Sequence, residues 1–172
     1  LIFWACDYSE KTGEGNLARK FIKENYNNKK IKINTFRFKN FLNYKYILPY
    51  VLVINCWRDY LRGYKVGYLN YLPLWNFPIF LLLPPKTILG PITGGAFFTK
   101  KNSINFFIRK FIFPIFYKIS ELILNLRFKK KIFFSTDLLK KYLSNKTIQR
   151  CIFNFILNDF KFKKKRKIKD ID

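Results

Sequence analysis

Leu1-Ile-Phe-Trp-Ala-Cys6 is an apolar run that leads directly into a polar loop, Asp7-Tyr-Ser-Glu-Lys-Thr-Gly-Glu-Gly15. The residues that follow, Asn16–Asn25, carry apolar side chains at helical spacing and charged side chains on the opposite face. A buried strand, a Gly-containing loop and an amphipathic helix in this order are typical of the first β-α unit of an α/β domain. This segment therefore decides the predicted fold.

The rest of the chain repeats the alternation of strand and helix signals. Further strands are predicted at Lys30–Phe38, Tyr50–Cys56, Val66–Leu72, Thr87–Ile92 and Ile132–Ser135. This alternation predicts a Rossmann-like, doubly wound α/β domain with a mainly parallel sheet of about six strands. We expect Leu1–Cys6 and Tyr50–Cys56 to be central strands, because the second run is apolar on both faces.

Ile104–Leu126 is the longest helical candidate, and Pro114 is expected to kink or divide it. Its aromatic and aliphatic residues are mixed with Arg109, Lys110 and Lys118. Two interpretations fit this mixture. The segment is either a core helix packed on the sheet or an interfacial helix that rests among acidic lipid headgroups.

The composition combines a large apolar fraction with a strong positive charge. Of 172 residues, 49% are hydrophobic and 20% are aromatic, which suits a packed core rather than a disordered chain. The formal charge of +24 indicates an anionic partner, although abundant Lys, Asn, Ile, Phe and Tyr also indicate AT-rich codon usage. The predicted organisation is one domain over residues 1–160 and a basic linker or tail over residues 161–172.

The residue types present exclude several kinds of catalytic site. The chain has no His, so it lacks the commonest general base and the commonest metal ligand. Cys6, Cys56 and Cys151 are scattered and form no C-x-x-C pair, which argues against a disulfide framework or a zinc site. We therefore expect no metal and no bound cofactor.

Ligands of parallel α/β sheets bind at the carboxyl ends of the strands. The loops predicted to lie there are Asp7–Gly15, Trp57–Tyr60, the turn near Asn70–Pro73 and Thr93–Gly95. Gly13 and Gly15 open directly onto a helix, where backbone N–H groups favour a phosphate. Thr93, Gly94 and Gly95 form a second candidate substrate loop.

Three carboxylates fall at predicted strand ends and are candidates for a general base, namely Glu14, Asp7 and Asp59. A structural role at a helix start or on the surface fits each of them as well. Glu14 is the first choice because two glycines flank it in the first loop.

Gly13-Glu-Gly-Asn-Leu-Ala18 satisfies the G-x-G-x-x-A pattern, so an NAD(P)-binding oxidoreductase is an alternative. Two features weigh against it. Asp7–Thr12 separate the strand from the first Gly, and no acidic residue between Glu24 and Asp59 is present to hold a ribose. Arg37 is instead a candidate to bind the 2′-phosphate of NADP. A plain tight turn at a helix start is the remaining interpretation.

Two longer segments carry a resemblance to a known family. Asp7-Tyr-Ser-Glu-Lys-Thr-Gly-Glu-Gly-Asn-Leu-Ala-Arg19 resembles the opening loop and first helix of bacterial glycosyltransferases with the two-domain GT-B fold. Asn70-Tyr-Leu-Pro-Leu-Trp-Asn-Phe-Pro-Ile-Phe-Leu-Leu-Leu-Pro-Pro-Lys-Thr-Ile-Leu-Gly-Pro-Ile-Thr-Gly-Gly95 resembles a later block of the same group. The resemblance covers Leu1–Gly95, and beyond it only the order of helices and strands agrees.

The resemblance implies a hexosyltransferase of cell-envelope polysaccharide synthesis, with this chain as its N-terminal, acceptor-side domain. The implied substrates are a nucleotide-sugar and a glycan or lipid-linked acceptor, and the Gly13–Gly15 loop would lie in the interdomain cleft. The nucleotide-sugar site would belong to a C-terminal donor domain, encoded beyond Asp172 or supplied by a partner chain. The chain departs from the family in lacking the His that many members carry near the reacting sugar.

The charge and apolar pattern also predict where the protein works. Val66–Pro85 is uncharged and long enough for a bilayer, but its prolines favour a strand, a turn and a buried helix. We expect a cytoplasmic protein attached peripherally to the inner membrane, with its basic surface on anionic lipid. We expect no nucleic-acid partner, because the basic residues are not interleaved with exposed aromatic residues on one face. A basic membrane- or nucleic-acid-binding module is the non-enzymatic alternative.

Overall fold

The computed structural model describes residues 1–27, 29–35, 44–70, 72–94, 104–128 and 130–155. A π-helical turn, Ile108–Ile112, joins the fourth and fifth helices of the chain, and a 3₁₀ turn, Lys140–Tyr142, precedes the sixth. In chain order the elements are β1 (Ile2–Ala5), α1 (Gly13–Tyr26), β2 (Ile31–Asn34), α2 (Tyr44–Leu61), β3 (Lys65–Tyr68), α3 (Phe77–Leu82), β4 (Ile88–Leu89), α4 (Ile104–Phe107), α5 (Phe113–Arg127), β5 (Ile132–Phe133), α6 (Asn145–Ile148) and β6 (Cys151–Ile152).

The central sheet consists of four parallel strands in the order β2-β1-β3-β4. β1 pairs along its whole length with both neighbours, so that Ala5 lies opposite Asn34 of β2 and Tyr68 of β3. β4 is shorter and pairs with β3 through Ile88 and Leu89. The predicted α/β class with a parallel sheet is therefore confirmed.

Helices cover both faces of this sheet. On one face α1 packs against β1, and the rings of Phe21 and Trp4 meet edge to face with centroids 5.9 Å apart. On the other face α2, α3 and α5 enclose the larger of the two apolar cores. Because both faces are covered, β1 and β3 lie in an apolar environment and consist mainly of apolar residues.

A second parallel sheet, formed by β5 and β6, continues from the edge of the first. Ile92, just after β4, donates its N–H to the carbonyl oxygen of Phe133 at 2.7 Å and accepts from Ser135 N at 3.0 Å. The prediction of about six strands in one sheet is thus met in part. Four strands form one sheet, two form another, and an isolated bridge between Ile92 and Phe134 connects them.

The prediction that Tyr50–Cys56 is a central strand is wrong, because these residues belong to α2. Leu48, Leu52 and Cys56 are buried at intervals of four residues, whereas Ile54 is exposed between them. This is the burial period of a helix. An apolar run of this length does not distinguish a buried strand from a helix by composition, and β3 takes the predicted central position beside β1.

Other predicted elements are confirmed with shifted ends. The predicted strand Leu1–Cys6 is β1, and the predicted helix Asn16–Asn25 is α1, which begins earlier, at Gly13. The long helical candidate is present, and Pro114 lies in the first turn of α5, just after the π-helical turn that divides the helix. Proline has no backbone N–H, but an N–H in the first turn of a helix has no acceptor within that helix. The proline therefore costs no helical hydrogen bond at this position.

Several predictions fall on residues that the structure does not describe. These are the end of the second predicted strand with Arg37, the glycine at position 95, and the basic segment 161–172. Within the described ranges, no helix has the length and apolar character needed to cross a bilayer.

A buried carboxylate connects α5 to the segment around α6. Glu121 Oε1 accepts hydrogen bonds from Ser144 N and Ser144 Oγ, both at 2.6 Å, and from Thr147 Oγ1 at 2.7 Å. Its Oε2 accepts from Lys118 Nζ at 3.1 Å. Burial alone would raise the pKa of Glu121, but these hydrogen bonds outweigh burial and hold the pKa at about 2.

This network predicts a pH-dependent contribution to stability. A carboxylate whose pKa falls from 4.5 to about 2 on folding stabilises the protein above pH 4.5, and the stabilisation is lost as the pH falls toward 2. At neutral pH the lowered pKa of Glu121 contributes about 3 kcal/mol to the free energy of unfolding. In urea unfolding, Glu121→Gln should lower the free energy of unfolding at pH 7, and its difference from wild type should shrink between pH 4.5 and 2. Glu24→Gln, an exposed control, should change little, and a difference independent of pH would contradict the assignment.

Candidate functional site

The strand order predicts a ligand crevice between β1 and β3. The chain leaves β1 to form β2 on one side and returns on the other side to form β3, so the connections diverge at this point of the sheet. In open parallel sheets such a switch point leaves a crevice at the carboxyl ends of the two strands. Here those ends lead into Asp7 and Asn70.

The side chain of Asn70 connects the end of β3 to the end of β1 and to the start of α1. Its Oδ1 accepts from Asp7 N at 2.9 Å, and its Nδ2 donates to Glu14 O at 2.5 Å and to Glu14 Oε2 at 3.1 Å. Asn70 is buried and has a φ of 79°, a left-handed conformation that Asn adopts more readily than most residues. The predicted site residues Asp7 and Glu14 are thus held close together by a third residue.

Asp7 organises the loop between β1 and α1. Its Oδ1 accepts from Ser9 N at 2.9 Å, and its Oδ2 accepts from the hydroxyl of Thr12 at 2.7 Å. Thr12 in turn caps α1, because its Oγ1 accepts from Gly15 N at 3.0 Å. Both carboxylate oxygens of Asp7 are therefore used to fix the conformation of the loop.

The two glycines of the loop have different roles. A Cβ on Gly15 would lie 2.0 Å from Ser9 O and 2.6 Å from Ser9 N, so only glycine allows this approach of the backbone. A Cβ on Gly13 would have no heavy atom within 4 Å. Gly15 is therefore required by packing, whereas Gly13 is the first residue of α1 and lies at the end of the helix dipole that favours an anion.

Thr93 and Gly94 lie on the same side of the sheet, beyond the end of β4. Thr93 N donates to Leu72 O at 2.9 Å, and Leu74 N donates to Thr93 O at 2.9 Å. The segment that follows Asn70 is thereby paired with the second predicted loop. Gly94 has a φ of 123°, which a residue with a side chain rarely adopts. The third residue of this predicted loop, Gly95, is outside the described part of the chain.

The prediction that Asp59 lies at a strand end is wrong. Asp59 is in the last turn of α2 and is buried, with its carboxylate accepting from the side-chain amide of Asn34 and from Arg58 Nε at 3.3 Å. The hydrogen-bond partners of its carboxylate belong to α2 and β2 and include none of the loop residues named above. The structure therefore does not bring Asp59 together with Asp7 and Glu14.

The other reactive side chains near the sheet do not form a nucleophilic or metal site. Burial, with Asp7 nearby, raises the pKa of Cys6 to about 12, and burial also raises the pKa of Cys56. A thiol with such a pKa is not a thiolate at neutral pH. Over the described residues, no three His, Cys, Asp or Glu side chains are grouped as metal ligands.

Asn70 is the residue that sequence reasoning did not select. The sequence singled out the turn near Asn70–Pro73 as a loop at a strand end, but it gave no reason to prefer one residue within it. The available signal is an Asn directly after an apolar strand, because Asn accepts a left-handed backbone and has both a donor and an acceptor in its side chain. Its partners, Asp7 and Glu14, are more than fifty residues away in sequence.

By fold and site the chain is an α/β protein with three hydrogen-bonded polar residues, Asp7, Glu14 and Asn70, at the predicted crevice of its parallel sheet. Compared with models of known protein families, with curated proteins and with solved structures, the chain matches none. The crevice itself is therefore the basis for a functional proposal.

The loop geometry predicts a large effect on stability at Gly15 and a small one at Gly13. Gly15→Ala forces the Ser9 backbone away and should lower the free energy of unfolding by about 2 kcal/mol or more. Gly13→Ala adds a methyl group in open space at a helical position and should change stability by about 0.5 kcal/mol or less. Urea unfolding of the two variants measures both values, and equal effects of the two substitutions would contradict this account of the loop.

Proposed function

We propose that this chain is the acceptor-side domain of a glycosyltransferase, a Rossmann-like half of a two-domain GT-B enzyme. The observation that carries the proposal is the junction of Asp7, Glu14 and Asn70 at the carboxyl ends of β1 and β3. The two sequence segments that resemble such enzymes contribute one side each of this junction. A crevice at the switch point of a parallel sheet is also the general location of ligands in this class of fold.

In this proposal Glu14 is the general base and Asp7 is a positioning residue. Both oxygens of Asp7 accept hydrogen bonds within the loop, so this carboxylate serves the loop conformation. The Glu14 carboxylate is part-buried and accepts from Asn70 Nδ2 on one oxygen. A carboxylate held at a crevice is suited to take the proton from an acceptor hydroxyl as that hydroxyl attacks the sugar.

The oxidoreductase alternative receives less support from the geometry. A dinucleotide-binding domain places an acidic residue at the end of its second strand, where the carboxylate binds the ribose hydroxyls. The residue at the end of β2 is Asn34, and its side-chain amide donates to the buried Asp59. In addition, six residues of the loop, from Asp7 to Thr12, precede Gly13. Neither feature fits a pyrophosphate bound tightly against the first turn.

The donor site belongs to a second domain in this proposal, encoded downstream or supplied by a partner chain. The nucleotide-sugar would bind there, and a glycan or lipid-linked acceptor would bind in the crevice described above. A cytoplasmic protein at the inner face of the membrane would meet acceptors of this kind. Residues 1–172 alone should transfer no sugar, because orientation and charge stabilisation of the reacting groups require both walls of the cleft.

Glu14→Gln tests the assigned base in an extended protein that includes the donor domain, whether as a further segment of the same chain or as a partner chain. Loss of the base should lower kcat about a hundredfold or more and leave the KM for acceptor nearly unchanged. Glu24→Gln is the matched control, since Glu24 is on the same helix and pairs only with Lys20 at 3.9 Å in the described structure. Transfer by Glu14→Gln at the rate of the control would contradict the role of Glu14.

Thermal shifts of the same extended protein separate the classes of function. A rise in Tm with UDP- or GDP-sugars supports a glycosyltransferase, because a ligand that binds only the folded state stabilises it. A rise with NADPH alone would favour the oxidoreductase, and a rise with oligonucleotides alone would favour a basic binding module. Either of these two results would overturn the proposal.

A further inference from the structure

The helix layer formed by α2, α3 and α5 has an apolar outer surface. Helices that cover one face of a sheet usually expose polar residues on the side away from the sheet. Here six large apolar side chains are each more than half exposed, namely Ile54, Leu61, Leu81, Ile115, Leu122 and Leu126. Exposed apolar residues that are grouped mark binding faces, whereas exposed apolar residues scattered singly are ordinary surface.

Two sets of hydrogen bonds hold the three helices side by side. Trp57 Nε1 of α2 donates to Leu82 O of α3 at 2.6 Å. The guanidinium of Arg127 of α5 donates to the carbonyl oxygens of Leu81 and Leu83, the second at 2.7 Å. The six exposed side chains thus belong to three helices that these bonds hold together, and we call this set the apolar helix face.

The exposed charges of these helices are all positive. Among the described side chains of α2, α3 and α5, the two acidic residues, Asp59 and Glu121, are buried and hydrogen-bonded. Arg58 and Lys118 are exposed. Each of these cations pairs with one of the two acids, Arg58 with Asp59 at 3.3 Å and Lys118 with Glu121 at 3.1 Å. The face therefore presents no exposed carboxylate among the described residues that would repel an anionic partner.

A cavity of about 710 Å³ lies where α2 and α5 end, next to the apolar helix face. Leu126 belongs to both. The walls are largely apolar, and four cations line the cavity without any described carboxylate: Lys65, Lys86, Arg127 and Lys130. Burial, with Lys65 and Lys29 close by, lowers the pKa of Lys130, as expected where positive charges are crowded. Because the Arg127 guanidinium already donates to Leu81 O and Leu83 O, the three lysines are the donors that the cavity offers to a phosphate group.

We propose that the apolar helix face rests in the interface of an anionic bilayer and that the cavity beside it receives an anionic lipid headgroup. This inference does not depend on the sugar-transfer reaction. A second copy of the chain fits the face less well, because an isologous contact would bring the same cations together without neutralising them. The cavity is at the amino ends of β3 and β4, so the Asp7–Asn70 crevice at the opposite edge stays open in this orientation.

Vesicle sedimentation of residues 1–172 tests both parts of the surface. The protein should bind phosphatidylcholine vesicles that contain phosphatidylglycerol and should bind pure phosphatidylcholine much more weakly. Lys65→Glu/Lys86→Glu/Lys130→Glu should weaken binding about a hundredfold, because each lysine near an anionic surface contributes about 1 kcal/mol. The control Lys11→Glu/Lys23→Glu/Lys146→Glu changes the net charge equally at exposed sites elsewhere and should weaken binding far less.

The apolar part is tested by Ile54→Ser/Leu122→Ser/Leu126→Ser, which should also weaken binding about a hundredfold. Leu1→Ser/Leu138→Ser/Ile152→Ser replaces exposed apolar residues outside the face and should bind like wild type. Equal loss in test and control variants of either set would overturn the proposal. The proposal would also be overturned if the wild type formed a dimer in solution and the Ile54→Ser/Leu122→Ser/Leu126→Ser variant did not.

A measurement without these substitutions covers the case in which a triple variant does not fold. Trp57 is partly exposed on α2 between Ile54 and Leu61. Brominated lipids should quench the wild-type tryptophan emission on vesicles, and Trp57→Phe should remove most of that quenching. Quenching that persists unchanged in Trp57→Phe, or none in the wild type, would show that this face does not enter the lipid.

Discussion

The side-chain amide of Asn70 is the contact on which the geometry of the crevice depends. One amide group accepts from the end of β1 and donates to the first turn of α1, while its own backbone continues from β3. Each such hydrogen bond contributes about 1 kcal/mol, and breaking it would leave part-buried polar atoms of the loop without this partner. The conformation of the Asp7–Gly15 loop therefore depends on a residue that follows another strand as well as on the sequence of the loop itself.

The adjacency of β1 and β3 rests on a second constraint. A Cβ on Gly67 would lie 2.3 Å from the ring of Trp4, so the indole of β1 lies against the bare backbone of β3. This contact lets the largest side chain of the core pack at the centre of the sheet, where Phe21 and Tyr26 of α1 surround it. With the two strands fixed in this way, their carboxyl ends bring Asp7 and Asn70 within hydrogen-bond distance.

The parts of the fold that could be predicted from the sequence are those encoded locally. β1, its loop and α1 follow one another within the first 26 residues and have distinct periodicities, so both their type and their order were predictable. The segment Tyr50–Cys56 was not, because it is apolar on every side and its helical state is decided by packing against the sheet. The same holds for Asp59. Its position at a strand end was predicted from a strand at Tyr50–Cys56, and those residues are helical. The only local signal for Asn70 is its place directly after an apolar strand, and its partners come from distant positions.

The most direct measurement of the central claim is hydrogen exchange of backbone amides in the wild type and in Asn70→Gly. Glycine accepts the positive φ of this position, so the variant removes the side-chain hydrogen bonds and leaves the backbone unstrained. The amides of Asp7, Ser9 and Gly15 should exchange about tenfold faster or more in the variant. The sheet amides of Leu69 and Gly90, which bond to Ala5 O and Tyr68 O, should keep their protection. Unchanged exchange at Asp7, Ser9 and Gly15 would show that Asn70 does not hold the loop.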